Sequence, residues 1–528
     1  EIFMSVGDAD GSPSKRKTSP VLADLKEVLK LGWPNSVNFI LTFLPGLLML
    51  HFLGNDVEYV AGAGMGFMFS NVAGYSLIIG TGAGTQPLIS QAFGANNFKR
   101  CGDLLQRQIA IHTSLVILIG ALWLQTESIL LAFRQPPTVA ALSGQFIRWR
   151  IMALPALALK EDFTNYLVAQ RVMHLPMVAS VAASVVNVVG FLVFIPSIGF
   201  VGAPLAYSLA NILQAIFLVL ASRWALPEKS AWPQWDMHAA CDGWCEILKL
   251  ALPGGILMLC EWWGWETNLF FAGLLCSKEP GAPCLELDVF PIVANTMVIA
   301  FMPNYGFSTA AGALIGNALG ANDVEKAKRL AKIALVIAAL LGGSIAIALL
   351  VSRWWWGLLF SDDKGVVDLT AHVLPTVAAY IFLDCLGPGA LVSILRGMSV
   401  VALPASINFV AFYVIGIPIG LMLTFMWPAS SWGLVGLWSG LVLAMLVMVS
   451  SLLVFLFCFV NWNQVCEAAN EQARKSGMHG ESASTKVQEG YPLKTDDRVD
   501  EATKPSHVNV FKKVLGKSSY AVVVGEFA

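Results

Sequence analysis

The chain has 528 residues, of which 56% are hydrophobic and only 13% are charged. It is far more apolar than a soluble globular protein, which excludes a soluble enzyme or a nucleic-acid-binding domain as its main body. The formal net charge of −2 says little about partners, because the charged residues collect in loops and tails.

Long apolar runs divide the chain into about twelve predicted membrane spans. A helix needs about 20 apolar residues to cross about 30 Å of lipid tails, and runs such as ALVIAALLGGSIAIALLV at 334–351 approach that length. We expect spans near 31–53, 60–92, 107–126, 139–169, 175–197, 202–224, 247–275, 287–318, 331–352, 366–395, 403–427 and 433–460. The predicted fold class is an all-α polytopic membrane protein.

Lysine and arginine collect before the first span, after the second and after the eighth, whereas the opposite loops are poorer in them. Because cytosolic loops are enriched in these residues, we expect both termini to be cytosolic. The polar segments before the first span and after the last one have the composition of disordered tails.

Cysteine and histidine show no metal-ligand spacing, so no metal and no cofactor is predicted. Cys241 and Cys245 fall in a predicted cytosolic loop, where thiols stay reduced. Cys276 and Cys284 flank SKEPGAP on the predicted outer side, where a disulfide and two free thiols are both open alternatives.

An internal repeat relates the two halves of the chain. TQPLISQAFGANN at 85–97 resembles AGALIGNALGAND at 311–323, each at the end of a long span and each followed by basic residues. An even number of spans per half makes the repeats parallel, an arrangement used by alternating-access transporters. The predicted organisation is a tail at 1–30, a six-helix bundle at 31–224, a cytosolic linker at 225–246, a second six-helix bundle at 247–460 and a tail at 461–528.

Five segments resemble the signature segments of the multidrug and toxic compound extrusion (MATE) transporters. They are CEWWGWE at 260–266, NALGAND at 317–323, SQAFGAN at 90–96, ILRGM at 394–398 and GLVGLWSG at 433–440. The first segment is similar to the Glu-Trp-Trp of the eukaryotic branch. The resemblance implies two six-helix bundles around a central cleft, and export of organic cations or other amphipathic compounds against an inward flow of protons or sodium ions.

Two acids lie among tryptophans in the seventh span, where a carboxylate costs free energy unless it is paired, protonated or faces water. Glu261 and Glu266 are five positions apart, about 140° around a helix, so they cannot share a face. Glu261 shares its face with Trp265 and Asn268, a stripe suited to a cavity wall. Glu266 lies with Trp262 on another face, where a hydrogen bond to a neighbouring helix is the alternative explanation. We favour Glu261 as the group that titrates during transport.

Two further residues are implied by the resemblance. Asp384 in the tenth span resembles the acid that works with the seventh-span Glu in the MATE family, although the segment departs from the family pattern by one extra residue between Asp384 and Arg396. Asn295 in the eighth span falls where eukaryotic members carry Asn or Glu, and it could donate a hydrogen bond to Glu261 or serve only helix packing. Trp262, Trp265 and Tyr305 could hold an organic cation by cation–π contact, although tryptophans near the lipid interface are also membrane anchors.

A second charged cluster, Lys160, Glu161 and Asp162, lies within the fourth span and has no counterpart in the family pattern. Mutual pairing near the cytosolic end of the helix is the interpretation we favour, and a second cation or substrate site is the alternative.

Three functional classes follow from these observations. We favour a cation-coupled antiporter over a flippase for lipid-linked precursors, which should line its cleft with basic residues, and over an intramembrane enzyme, for which no catalytic pairing lies within the spans. Residue type does not decide between protons and sodium, because Glu261 and Asp384 could also ligate sodium, and we favour protons from the eukaryotic resemblance. The protein is expected to work as a monomer in the plasma membrane or the vacuolar membrane.

Overall fold

The computed structural model describes residues 19–474 apart from gaps at 55, 227, 229–230, 233–234, 277–283 and 427–431. Its regular elements in this part of the chain are all helical. In chain order they are α1 Pro20–Phe52, α2 Val57–Gly94, α3 Phe98–Leu124, α4 Thr126–Ala132, α5 Pro137–Ile151, α6 Leu154–Ala169, α7 His174–Ile198, α8 Gly202–Ala225, α9 Met237–Cys241, α10 Trp244–Gly273, α11 Leu285–Gly320, α12 Val324–Trp356, α13 Lys364–Gly397, α14 Ala402–Met426, α15 Gly433–Phe459 and α16 Trp462–Arg474.

Within the described residues, nine helical stretches are long and apolar enough to cross a membrane. One of them, His174–Ala225, contains both α7 and α8, which a short 3₁₀ turn separates. The more charged pair α5–α6 and helix α10 occupy the two remaining predicted positions. The arrangement confirms the all-α membrane fold and is consistent with twelve spans.

The repeated sequence forms the same turn in both halves. Asn96 and Asn322 both adopt the left-handed conformation, with φ of 58° and 62°, which asparagine tolerates better than most residues. The next residues, Asn97 and Asp323, cap the following helices by accepting hydrogen bonds from backbone N–H groups. Equivalent residues therefore fulfil equivalent structural roles in the two halves.

The two repeat helices, α2 and α11, meet at the end of the molecule that is predicted to face the cytosol. A Cβ atom on Gly94 would lie 2.0 Å from the carbonyl oxygen of Asn317, and one on Gly320 would lie 2.0 Å from that of Gln91. Only glycine permits backbones to approach so closely. The same contact is made twice, once from each half.

Side chains at this contact form two matching sets of hydrogen bonds. Gln91 of α2 donates to the carbonyl oxygen of Gly397 in the other half at 3.1 Å. Asn317 of α11 donates to the carbonyl oxygen of Ala169 at 2.9 Å and accepts from Arg171 at 3.1 Å. The contact is thus polar as well as close, and it closes this end of the molecule.

Ion pairs reinforce the same end. Glu27 of α1 pairs with Arg171 at 3.0 Å and with Lys326 of α12 at 2.9 Å. Asp24, one turn earlier, pairs with Arg329 of α12 at 2.7 Å. Helix α1 is thereby tied to the C-terminal half.

Part of the predicted C-terminal tail is ordered, unlike our expectation of disorder from residue 461. Helix α16 packs its apolar side against the closed end, where Asn470 donates to the carbonyl oxygen of Leu319 at 3.0 Å. Asn97 of the other half donates to the carbonyl oxygen of Ala473 at 2.9 Å. The buried alanines and cysteine of α16 supply the contact that a composition-based prediction overlooks. The remaining tail predictions, for residues 1–18 and 475–528, lie outside the described residues.

One of the two alternatives open for the outer cysteines is realised. Cys276 and Cys284 form a disulfide. The glycine-rich segment of α2 serves close helix packing, because a Cβ atom on Gly80 would lie 2.5 Å from the Cα atom of Gly255 in α10.

Candidate functional site

A cavity lies between the two halves, near the middle of the long helices. Its walls come from α1, α2, α6 and α8 on one side and from α10, α11 and α13 on the other. The space between these atoms is about 1040 Å³, part of it open to solvent. The cavity is therefore the central cleft that two facing bundles are expected to enclose.

Four charged side chains line an otherwise largely apolar wall. Lys160 and Glu161 of α6 stand on the N-terminal side, and Glu261 of α10 and Arg396 of α13 stand on the C-terminal side. Each half thus presents one acid and one base to the same space. Charges in such a place are costly and are typical of functional sites in membrane proteins.

Glu261 lies on the cavity wall, as its helical face predicts. It is close enough to Arg396 and to Asp384 to interact electrostatically with both. Asp384 does not line the cavity; its side chain is buried inside the C-terminal half, 1% exposed, and its Oδ1 atom has no hydrogen-bond partner. The two acids therefore form a connected pair, one facing the cavity and one behind it.

Helix α13 is irregular directly after Asp384. Residues Cys385–Leu391, which contain the sequence Gly-Pro-Gly at 387–389, form a π-helical turn. Such a turn leaves backbone carbonyls without their usual partners, and Asn304 of α11 donates to one of them, on Cys385, at 2.9 Å. The irregular turn sets the position of both Asp384 and Arg396.

The tryptophans of α10 take different positions. Trp262 and Trp265 both line the cavity, because residues three positions apart lie only about 60° apart around a helix, whereas Trp263 points outward and is 53% exposed. Trp265 donates from Nε1 to the hydroxyl of Tyr380 at 3.1 Å, which fixes its ring. The cavity wall is wide enough to include both rings.

Tyr305 of α11 also lines the cavity, as expected. Its ring contacts Phe39 of α1, at a centroid distance of 4.7 Å, and Phe301, at 5.4 Å. Aromatic surface from both halves therefore meets across the cleft.

Three predicted site residues lie away from the cavity. Glu266 does not line it, and Asn268 is buried with its amide donating to the carbonyl oxygen of Gly264 in its own helix at 3.0 Å. Asn295 likewise does not line the cavity, and among the described residues it makes no hydrogen bond to Glu261. The cavity wall ends within one helical turn of these residues, at Trp265 and Val298, and a helical wheel alone cannot reveal this limit.

The cluster in α6 is arranged differently from the mutual pairing we favoured. The Nζ atom of Lys160 lies 3.3 Å from the hydroxyl of Tyr75, and Glu161 accepts a hydrogen bond from Asn165 at 3.1 Å. Lys160 and Glu161 both lie on the cavity wall. Asp162 faces away from the cavity and pairs with His112 of α3 at 2.7 Å. Consecutive helical residues point about 100° apart, so the three side chains reach different neighbours.

Sequence reasoning missed two residues of this region. Arg396 was noted only within a family segment, although a buried arginine in a span is itself a signal of function. His112 gave no signal, because its partner lies 50 positions along the chain and only packing of α3 against α6 joins them.

The fold and the cavity together define a polytopic membrane transport protein with a binding space between two helical halves. The family model named MatE matches the chain twice, at residues 34–193 and 255–422. The chain therefore belongs to the MatE family, whose members are transporters and not enzymes.

Named relatives agree with this assignment. Multidrug and toxin extrusion protein 1 of Mus musculus is 31% identical over 481 residues, which are 88% of this chain and 82% of that protein. The protein of the same name from Homo sapiens is 31% identical over 459 residues, 85% of this chain and 77% of that protein.

Solved structures show the same fold. A crystal structure of the eukaryotic MATE transporter AtDTX14 matches with a TM-score of 0.80 at 22% identity, covering 86% of this chain and 99% of that one. An outward-facing multidrug resistance MATE transporter matches with a TM-score of 0.72 at 18% identity, covering 86% of this chain and all of that one.

Proposed function

We propose that this protein exports organic cations and other amphipathic compounds in exchange for protons, with Glu261 as the carboxylate that both ligands share. The relatives are named for multidrug and toxin extrusion, which supports the substrate class. The observation that carries the proposal is the position of Glu261, on the wall of a cleft between two halves and in electrostatic contact with a second, buried acid.

Competition for one carboxylate is sufficient for exchange. An ionised Glu261 attracts a cationic substrate, and protonation removes that attraction. If the loaded and the protonated forms each cross between outward-facing and inward-facing states while the empty charged form does not, the two fluxes are coupled. Each tenfold proton gradient then supplies about 1.4 kcal/mol for export.

Asp384 and Arg396 adjust the same carboxylate. Glu261 and Asp384 carry like charges when ionised, so protonation of one makes ionisation of the other easier. Arg396 offers the opposite charge from the α-helical end of α13 that follows the irregular turn, which makes the charge at Glu261 sensitive to movement of that helix. We therefore propose that protonation at Glu261 and Asp384 is linked to the conformation of α13.

The aromatic wall suits the apolar part of an organic cation. Trp262, Trp265 and Tyr305 expose ring surface to the cavity, and Trp265 is held by its hydrogen bond to Tyr380. A cation over such rings gains about 0.5–2 kcal/mol. Few groups in this wall make directional hydrogen bonds, which fits an exporter that accepts many substrates. We also propose that the protein works as a monomer in the plasma or vacuolar membrane, with its termini in the cytosol.

The test uses the purified full chain in sodium-free vesicles with an acidic interior. Wild type is expected to accumulate external ethidium, a permanently charged organic cation, and Glu261→Gln is expected to lose this uptake and to bind ethidium more weakly. Glu266→Gln is the matched control, because it removes a carboxylate from the same helix at a position away from the cavity. We expect this variant to keep uptake within about twofold of wild type.

Three outcomes would contradict the proposal. If wild type takes up ethidium only when sodium is added, the coupling ion is sodium and not the proton. If Glu261→Gln takes up as much ethidium as wild type, this carboxylate has no part in the mechanism. Loss of uptake in both variants would show that any polar change in α10 is harmful, and the assignment to Glu261 would fall.

A further inference from the structure

A polar cluster is buried inside the N-terminal half, where the surrounding spans are hydrocarbon. Asp162 of α6 and His112 of α3 face one another with Oδ1 and Nδ1 2.7 Å apart, and each side chain is 1% exposed. Both carboxylate oxygens of Asp162 and the Nδ1 atom of His112 are buried and make no well-aligned hydrogen bond. A buried unpaired carboxylate oxygen is costly, and taking up a proton is one way to remove that cost.

The second ring nitrogen of His112 has two neighbours of different character. Nε2 lies 2.8 Å from the amide nitrogen of Gln108, which can only donate, and 2.7 Å from the hydroxyl oxygen of Thr81. The hydroxyl of Thr85 donates to the amide oxygen of Gln108, which fixes the orientation of that amide. In the neutral ring, Nε2 therefore accepts from Gln108, and Nδ1 carries the hydrogen and lies 2.7 Å from Oδ1 of Asp162.

The surroundings favour the carboxylate over the ring as the place for an added proton. The hydroxyl of Thr81 donates to the carbonyl oxygen of Leu77 at 2.6 Å, which leaves a lone pair of the hydroxyl oxygen facing His112. A proton added to Nε2 would meet this lone pair, but it would also face the amide nitrogen of Gln108, which is itself a donor. The carboxylate of Asp162, whose two oxygens lack well-aligned partners, is therefore the place where the pair would take up a proton.

The pair lies directly behind the cavity wall. A Cβ atom placed on Gly82 of α2 would lie 3.5 Å from Cγ of Glu161 and 3.6 Å from Cε1 of His112. The amide of Asn165, which donates to Glu161, borders the same glycine at 3.0 Å. Glu161 lines the cavity, so a proton arriving there is one side chain away from the buried pair.

The charged and titratable groups around α6 come from all the helices packed against it. They are Lys160 on α6 itself, Tyr75 on α2, His112 on α3, Arg150 on α5, Tyr207 on α8 and Tyr305 on α11. Arg150 lies between the rings of Phe67 and Tyr207, with its guanidinium carbon 4.6 Å from each centroid.

With ordinary charges and a neutral imidazole, the group is balanced. The two bases, Lys160 and Arg150, offset the two acids, Glu161 and Asp162. One added proton leaves a net positive charge next to the cavity, and that charge opposes the binding of a cationic substrate.

We propose that Glu161 and the His112–Asp162 pair form a second proton-binding site, in the N-terminal half, that is loaded and emptied once in each transport cycle. The inference rests on the proposed antiport function and adds to it a stoichiometry of two protons per monovalent cation, one from each half. The family pattern supplies no counterpart for these residues.

The stoichiometry is measured from the substrate gradient at which net flux stops. Vesicles containing the full-length protein hold a pH difference of one unit, and potassium with valinomycin clamps the membrane potential at zero. One proton per ethidium then supports a gradient of about tenfold, and two protons support about a hundredfold. Wild type is expected to approach the larger value, and Glu161→Gln and Asp162→Asn are each expected to reach only the smaller one.

Glu127→Gln is the control, because that carboxylate lies in the same half but forms an exposed ion pair with Arg148. It should retain the wild-type gradient. A variant that does not transport is tested in detergent after size-exclusion chromatography, by the protons released into weak buffer when ethidium binds. Wild type is expected to release two per ethidium and the N-terminal variants one.

The outcomes separate the two proposals. If wild type fails to accumulate ethidium at any pH difference, the antiport function itself is overturned. If wild type pumps but stops at about tenfold, or if both variants keep the wild-type gradient or proton release, antiport stands and the second site is refuted.

Discussion

The close contact between the halves makes Gly94 a sensitive position. Its missing side chain lets α2 approach the backbone of α11 at the end predicted to be cytosolic. In Gly94→Ala the new methyl carbon would lie 2.0 Å from the carbonyl oxygen of Asn317. Gly64→Ala is the matched control in the same helix, because its new methyl carbon would meet no atom closer than 4.0 Å.

The size of the effect follows from the geometry. A carbon and a carbonyl oxygen approach to about 3.3 Å at closest, so the helices must separate by roughly 1.3 Å. The bonds of Asn317 to Ala169 and Arg171, now 2.9 and 3.1 Å, would then exceed hydrogen-bonding distance. A neutral bond contributes about 1 kcal/mol and one to a charged group about 1.5–3 kcal/mol. The closed state should therefore lose about 2.5–4 kcal/mol, or at least about 60-fold in population relative to the open state.

Distances between spin labels measure this population. We would place nitroxides on Lys99→Cys and Glu325→Cys, two exposed positions that follow the contact in either half. The exposed native cysteines, Cys241, Cys245 and Cys458, are first changed to Ser. Pulsed electron paramagnetic resonance should show mainly the short distance in wild type and Gly64→Ala, and a longer one in Gly94→Ala.

A folded Gly94→Ala protein with the wild-type distance distribution would refute the reasoning. It would mean that the contact between α2 and α11 yields without opening the closed end. A shift of equal size in Gly64→Ala would refute it as well, because the effect would then belong to any added methyl group in α2.

Two further predictions concern single side chains. Burial raises the pKa of the Cys466 thiol in α16. Since the thiolate is the reactive form, maleimide should label Cys466 at least about tenfold more slowly than the exposed Cys245 at neutral pH, as followed by mass spectrometry. Equal labelling rates would mean that α16 does not stay packed. Trp265→Phe keeps the aromatic surface but removes the bond to Tyr380, so ethidium affinity measured by fluorescence should fall by about fivefold, corresponding to about 1 kcal/mol, while Trp263→Phe, on the outward side, should leave it unchanged.

The membrane fold could be predicted because it depends on local properties of the chain. Apolar length fixes which segments can span a bilayer, as for the run at 334–351, and this requires no knowledge of neighbours. The repeat was equally visible, since Asn96 and Asn322 take the same backbone conformation for the same local reason. Helix α16 was not predicted, because the tail is polar in overall composition and the apolar side of the helix has only four buried residues.

The candidate site could be predicted only in part. Glu261 was found because a carboxylate in a span is costly and its face was polar and aromatic. Asn268 shares that face but bonds to its own helix, and Trp262 lies on another face but reaches the cavity. Helical periodicity gives the direction of a side chain, but it does not give the width or depth of the cavity beside it.

The sequence by itself determined that this chain is a helical membrane protein built from two related halves, and its motifs identified the MatE family. Hydropathy, periodicity and repeated turns suffice for that, because each is encoded within one segment. Only the tertiary structure decided that Asp384 lies behind Glu261, that Arg396 faces the same cavity and that Asp162 pairs with His112. Those relations join residues far apart in the chain, and they exist only once the helices have packed.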